Sequence, residues 1–464
     1  MLFSLNTRLK NFASINPYTE EVLSQFEYIS SSDLEQKLDS VNSNFNKWKK
    51  KSFVARGECF LKLSQLLQRD ADKLAELASI EMGKLLHEAK AEVIKSVSAC
   101  EFYANQSERI LQTESTELEN NAYIEIQYQP LGVVLGVFPW NFPYWQILRS
   151  VIPILMSGNT MLVKPAPNVP QCSLALQGLF NESGLGNYVT TVFASDTQIE
   201  ELIADDRIKA STLTGSEKAG SIVASNSGKH IKKSVLELGG SDPFIVLEDA
   251  DIDACIPVAI NSRFQNNGQS CIAAKRFIVN KNIAEIFSQK IIEAAKKLQM
   301  GNPLENGINI GPIARKDLME QLSNQVSNSV KLGASIIFQS EQKIGKGYFY
   351  PPTILTNIHP EMPAYSQELF GPVLSLFIVN NDEEAIKLAN DTRFGLGASV
   401  WSKDIERAKR IANQIESGQV FINRLVRSDV RFPFGGIKHS GFGRELGAFG
   451  LKEFCNIKSI ITLR

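Results

Sequence analysis

Residues 133–143 read Val133-Val134-Leu135-Gly136-Val137-Phe138-Pro139-Trp140-Asn141-Phe142-Pro143. The valine-rich run 133–138 predicts a β-strand, and the two prolines around Trp140 and Asn141 stop it in a turn. The same grammar recurs. Residues 160–163 predict a strand ending at Lys164-Pro165, 210–213 one ending at Thr214-Gly215-Ser216, and 234–236 one ending at Glu237-Leu238-Gly239-Gly240. Helical segments such as 169–183 lie between them. This alternation predicts a mostly parallel, doubly wound α/β sheet. Asn141, Lys164, Ser216 and Glu237 each follow the carboxyl end of a predicted strand, the edge on which open α/β sheets bind ligands. Any one of them alone is an ordinary turn residue; four on one edge point to a site.

Upstream, residues 30–105 predict helices. Ser32 and Glu35 have the spacing of a capping box. Leu34, Leu38, Val41, Phe45 and Trp48 then recur every three or four residues as one apolar face. Phe60, Leu63, Leu66 and Leu67 form such a face on a second helix, and Leu74, Leu77 and Ala78 on a third. Downstream, a second α/β region begins near Asp242. It has predicted strands at 276–280, 335–338, 373–379 and 396–401 and helices at 284–298 and 382–390. Two short β patterns, 122–129 and 457–464, stand outside this alternation. Such exposed edges pair with another element or subunit.

The whole chain has 464 residues, which predicts two or three domains. Its formal net charge is −1, which gives no general attraction to nucleic acid or an anionic membrane and leaves only local basic patches open, and no apolar run approaches a bilayer span. Residues 1–14 are polar at Asn6, Thr7, Arg8, Lys10 and Asn11, hold no long apolar stretch and do not read as a secretory leader. The six cysteines are scattered without paired spacing, and the four histidines form no ligand pattern. A reduced, cytoplasmic protein without a metal is expected.

The chemistry centres on Gly268-Gln269-Ser270-Cys271. A thiolate adds readily to an aldehyde carbonyl, and Gly268 permits close backbone approach beside it. A small core thiol is the plainer reading for Cys59, Cys100, Cys172, Cys255 and Cys455. Glu237 lies between Leu236 and Leu238, where an apolar setting raises a carboxyl pKa and suits it to accept a proton from water. The Asn141 side-chain amide and the Cys271 backbone N–H are the candidate donors to an oxyanion. Gly215-Ser216-Glu217-Lys218-Ala219-Gly220 opens a predicted helix after a strand, where free N–H groups can face a pyrophosphate.

These motifs occur in the order, and over nearly the whole length, of the aldehyde dehydrogenase superfamily, which the chain resembles. Gln367-Glu368-Leu369-Phe370-Gly371-Pro372, Pro433-Phe434-Gly435-Gly436 and Ser440-Gly441-Phe442-Gly443-Arg444-Glu445 complete the set. The resemblance implies a Rossmann-type dinucleotide-binding domain (1–121 and 131–239), an α/β catalytic domain (240–435) and a small β oligomerisation element (122–130 and 436–464). It implies at least a homodimer, or a homotetramer. It implies Cys271, Glu237 and Asn141 as catalytic residues, and Trp140, Lys164, Gly215, Ser216, Gly220, Glu368 and Phe370 at the dinucleotide. Members that are selective for NAD often carry an acid three positions after the Lys164 equivalent. Here that residue is Pro167, so NAD and NADP both stay open. The likeness is strongest to bacterial short-type succinate-semialdehyde dehydrogenases, which implies Arg149, Ser428 and Arg431 at a distal carboxylate. Gln265 replaces an arginine that some of those enzymes have six residues before the nucleophile. The reaction so implied is oxidation of succinate semialdehyde to succinate through a cysteine thiohemiacetal and thioester. Other small aldehydes, transfer of the acyl group to coenzyme A, and a catalytically silent dinucleotide-binding protein are the alternatives.

Overall fold

A computed structural model describes residues 11–119, 122–341 and 345–463. Most of the leader reading over 1–14, and Arg464 at the end of the 457–464 pattern, fall outside those residues. The strands Val133–Val137, Thr160–Lys164, Val189–Thr191, Ile208–Thr214 and Lys233–Glu237 pair in parallel. Numbered along the chain, they lie in the spatial order 3-2-1-4-5, the doubly wound arrangement. The order reverses between Val133–Val137 and Ile208–Thr214, and a crevice forms outside the carboxyl ends of those two strands. Both end in the polar turns singled out above, so the turns 139–143 and 214–216 face one another across it.

A second sheet has seven strands, in the order Ser335–Gln339, Thr353–Thr356, Val373–Val379, Ala274–Asn280, Asp242–Val246, Gly397–Trp401 and Gln419–Ile422. Its pairs are parallel except for the first. Asp242–Val246 and Ala274–Asn280 are buried at every position, and their apolar stretches Phe244-Ile245-Val246 and Phe277-Ile278-Val279 accordingly run on without alternation.

The predicted helix faces pack inward. Leu34, Leu38, Val41 and Trp48 are buried on Ser31–Trp48, Phe60, Leu63, Leu66 and Leu67 on Phe53–Arg69, and Leu74 and Ala78 on Ala71–Met82. The cap of the first helix differs from expectation. Ser30, not Ser32, is the N-cap: its backbone is extended and its Oγ accepts from the Asp33 N–H. Ser32 is already inside the helix, and Glu35 instead accepts from the Arg207 guanidinium at 2.7 Å.

The two outlying β patterns pair with each other. Cys455–Leu463 runs antiparallel to Ala122–Pro130, whose other edge takes Glu114–Glu117. Not all of 436–464 joins this element. Gly441–Phe442 adds an antiparallel sixth strand to the dinucleotide-type sheet beside Lys233–Glu237, and Gly447–Glu453 is a helix against Trp145–Met156. The three-stranded sheet is left with Cys455–Leu463 alone from that stretch. Its outward side chains Ile457, Ile461 and Leu463 are largely exposed. No helix among the described residues is long and apolar enough to cross a membrane, and none of their acidic, cysteine and histidine side chains cluster in threes as a metal site would need.

Candidate active site

Cys271 follows a helix, Ile252–Phe264, that breaks into a short left-handed stretch. Asn266 and Asn267 have φ of 52° and 56°, and Gly268 has φ of +73°. A Cβ at 268 would stand 2.4 Å from the backbone of Gly371, so only glycine lets the two loops approach. Arg263 ties them: its guanidinium donates to the carbonyls of Gly268, Leu369 and Gly371. Lys275, buried in the following strand, donates to the Ser270 and Cys271 carbonyls at 2.9 and 2.8 Å and pairs with Glu368 Oε1 at 3.0 Å. The Cys271 loop and the Glu368 loop are thereby tied to each other.

Asn141 stands against this loop. Its Nδ2 donates to the Gln269 carbonyl at 3.1 Å, and its own carbonyl accepts from Asn266 Nδ2 at 2.9 Å. An amide carries two N–H bonds, so one remains for a substrate oxygen. The Cys271 backbone N–H has no partner among the described residues, which leaves a second donor. Burial pushes the Cys271 thiol up to about 11, against the pull of Arg149 and Lys275. The resting sulfur is therefore protonated at neutral pH and needs a base.

Glu237 is the last residue of its strand and only 2% exposed. Neither carboxyl oxygen has a hydrogen-bond partner. Burial, and secondarily the charge of Glu445, hold its pKa well above the usual carboxylate range. Its Oε1 lies where a Cβ at Gly435 would sit 2.7 Å away. The carboxyl thus rests behind Gly435 and does not form part of the cleft wall.

Two cavities meet at Cys271. The first, of about 350 Å³, is lined by Trp140, Asn141, Gly215, Ser216, Glu368 and Phe370 among others; the second, of about 340 Å³, by Arg149, Ser428, Gln265, Lys95 and Glu88 among others. Cys271 and Gln146 are the two residues on both walls. Trp140 and Phe370 meet edge to face at 5.8 Å. Ser216 caps the helix Glu217–Lys229, its Oγ accepting from the Ala219 N–H, and so turns the free N–H groups of the first turn toward the cavity.

Several expected residues lie elsewhere. Lys164 ends its strand on the same sheet edge but lines neither cavity. Gly220 is a packing glycine: a Cβ there would meet Leu238 Cδ2 at 2.6 Å. Arg431 is a surface residue, its side chain 68% exposed and paired with Asp429 at 2.6 Å, because a partner two residues away is within local reach. Arg149 does line the second cavity, but its charge is already met. Its Nε lies 2.5 Å from Glu445 Oε2, without hydrogen-bond alignment, and its Nη2 donates to Thr214 Oγ1 at 3.2 Å. Lys95, Glu88, Gln146, Lys275 and Arg263 were not among the expected site residues. For Glu88 and Lys95 the one sequence signal is spacing: Glu88, Ala91, Glu92 and Lys95 share a face of the helix Leu86–Ile110, and all four line the second cavity.

Comparison with known proteins agrees with this geometry. The aldehyde dehydrogenase family model matches residues 4–460. A Synechocystis protein named a probable NADP-dependent succinate-semialdehyde dehydrogenase is 46% identical, with 97% of this chain and 99% of that protein covered. An Escherichia coli succinate-semialdehyde dehydrogenase, named for NAD(P), is 42% identical over 96% of this chain and 97% of its own length. Among solved structures, the succinic semialdehyde dehydrogenase of Streptococcus pyogenes in complex with NADP is 36% identical with a TM-score of 0.94, covering 97% of this chain and 99% of that one. A doubly wound sheet, a thiol at the junction of two cavities and a match along almost every residue leave one conclusion: the chain belongs to the aldehyde dehydrogenase family.

Proposed function

We propose that this enzyme oxidises succinate semialdehyde to succinate with NAD or NADP as the cofactor, and that Cys271 is its nucleophile. The observation that carries the reading is the position of Cys271, with a cavity suited to a dinucleotide on one side and a cavity bearing cations on the other. The first cavity fits a dinucleotide on its own features. It has a capped helix N-terminus for the pyrophosphate, the Glu368 carboxylate for ribose hydroxyls, and Gly239, where a Cβ would stand 2.4 Å from Glu368 Oε2. A bound nicotinamide supplies the hydride acceptor.

The chain's own groups do the rest. The Cys271 thiol gives up its proton to water in the cleft. The thiolate adds to the aldehyde, and the oxyanion of the thiohemiacetal rests on the free Asn141 N–H and the Cys271 backbone N–H. After hydride loss, Cys271 holds the acyl group as a thioester. Glu237 then swings from behind Gly435 toward the cleft and takes a proton from water, whose oxygen attacks the thioester carbonyl; the Cys271 sulfur leaves as the thiolate and the acid is released. Replacing Asn141 with alanine is expected to cost about 2.7–4 kcal/mol in the transition state, a fall in kcat of about 10²–10³. The check is steady-state kinetics alongside an unchanged dinucleotide affinity.

Cofactor choice rests on the missing acid after Lys164. Placing one there, Pro167→Glu, is expected to raise the KM for NADP relative to NAD by about ten-fold or more, since like charges held together cost several kcal/mol. Equal KM ratios before and after would remove Pro167 from the argument. Rates with succinate semialdehyde, glutarate semialdehyde, betaine aldehyde and propanal, each with NAD and NADP, test the substrate assignment. A preference for propanal or betaine aldehyde overturns it, and a requirement for coenzyme A overturns the hydrolytic ending. The exposed isoleucines of the three-stranded sheet support assembly into at least a dimer, and the six unpaired cysteines support a cytoplasmic setting.

A further inference from the structure

The second cavity holds more than one cation, and their partners separate them. Arg149 is spent on Glu445 and Thr214. Arg427 is half-exposed, with Asp429 3.8 Å away. Lys95 is different. Its ammonium lies within the wall, 4.2 Å over the ring of Trp145, and donates to Ser428 Oγ at 2.6 Å. Among the described residues no carboxylate lies within ion-pairing distance of it. Ser428 Oγ also accepts from Trp145 Nε1 at 3.2 Å. A hydroxyl oxygen has two lone pairs and one proton. With both lone pairs taken by Lys95 and Trp145, the Ser428 proton is left to donate, and no acceptor for it exists among the described residues. The ammonium and the hydroxyl therefore form a ready pair of donors to an anion, on the same wall system as Cys271.

We propose that Lys95, acting with the Ser428 hydroxyl, recognises the distal carboxylate of the aldehyde substrate and so sets the preference for an acidic semialdehyde. This deepens, and rests on, the substrate reading above. Burial pushes the Lys95 ammonium down to about 7. Arg149 and Arg427 push the same way, and Glu92 and Asp429 oppose them. An arriving carboxylate favours the charged form, so the anion and the proton hold each other in place.

The test compares kcat/KM for succinate semialdehyde and for butanal, which has the same chain length and no carboxylate. In the wild type a ratio near one sinks the substrate reading itself, whatever Lys95 does. Given a wild-type preference, Lys95→Met is expected to lower the ratio by about ten-fold or more, the scale of one hydrogen bond to a charged group, with the loss in KM rather than kcat. Lys95→Arg restores part of it. Lys90→Met, on the same helix but paired at the surface with Asp72, keeps the wild-type ratio. Quenching of tryptophan fluorescence by NADP reports folding. If Lys95→Met does not fold, Lys95→Gln, which keeps a polar end against Ser428, serves the same comparison. A ratio unchanged in the folded variant overturns the proposal, as does a fall carried by kcat alone.

Discussion

Replacing Cys271 with alanine is expected to lower turnover by about 10⁴-fold or more, within the range that loss of a covalent nucleophile costs. Dinucleotide binding should survive. Apart from the shared wall at Cys271 and Gln146, the first cavity is lined by the turns 139–141 and 214–217, the 238–239 segment, the Glu368 loop, Arg393 and one face of the helix Lys316–Lys331. The thiol itself can be followed directly. It is pushed up to about 11 by burial, so its alkylation by iodoacetamide should be slow at neutral pH and rise steadily toward alkaline pH. Substantial turnover in the alanine variant would refute the mechanism at its first step.

Replacing Glu237 with glutamine is expected to leave an enzyme that acylates and then stalls, with kcat down about 10²–10⁴-fold, the worth of a positioned general base. The readout is a burst of reduced cofactor followed by a slow phase, with the succinyl group found on Cys271 by mass spectrometry. The pH dependence follows from the sign of the shift. A carboxyl whose pKa is raised is protonated at the pH where an ordinary glutamate is ionised, and a base must be deprotonated to work. Wild-type kcat should therefore climb with pH, and the glutamine variant should lose the limb that belongs to Glu237 while the thiol's remains. A variant with no burst, or with wild-type kcat, would assign the base elsewhere.

The contrast between residues found and residues missed has a physical pattern. Val373–Val379 and Asp382–Asn390 form where the sequence predicts them, residue for residue, because the first is a short apolar run between Gly371-Pro372 and Asn380-Asn381 and the second is a helix opened by the Asn381 cap. Val189–Thr191 and Thr353–Thr356 are too short to carry a period. Asn141 and Cys271 were legible because each sits at a turn whose position a strand or a glycine dictates. Lys95 was not. On a helix, a polar side chain facing a cleft and one facing solvent have the same spacing, and only the packing of Leu86–Ile110 against its neighbours tells them apart. Arg149 illustrates the converse. It lies where expected, yet Glu445, almost three hundred residues later, already answers its charge, and nothing local announces that partner.

The wall shared by Cys271 and Gln146 separates the fates of the two reactants. Each chamber has its own lining, which on the proposed mechanism lets spent coenzyme depart, and fresh coenzyme arrive, while the acyl group still waits on sulfur. Variation among the side chains at 88, 91, 92 and 95 and at 425–428 can likewise redraw which aldehyde is accepted and leave the nucleotide chamber as it was. New substrate tastes are open to this scaffold without rebuilding its redox half.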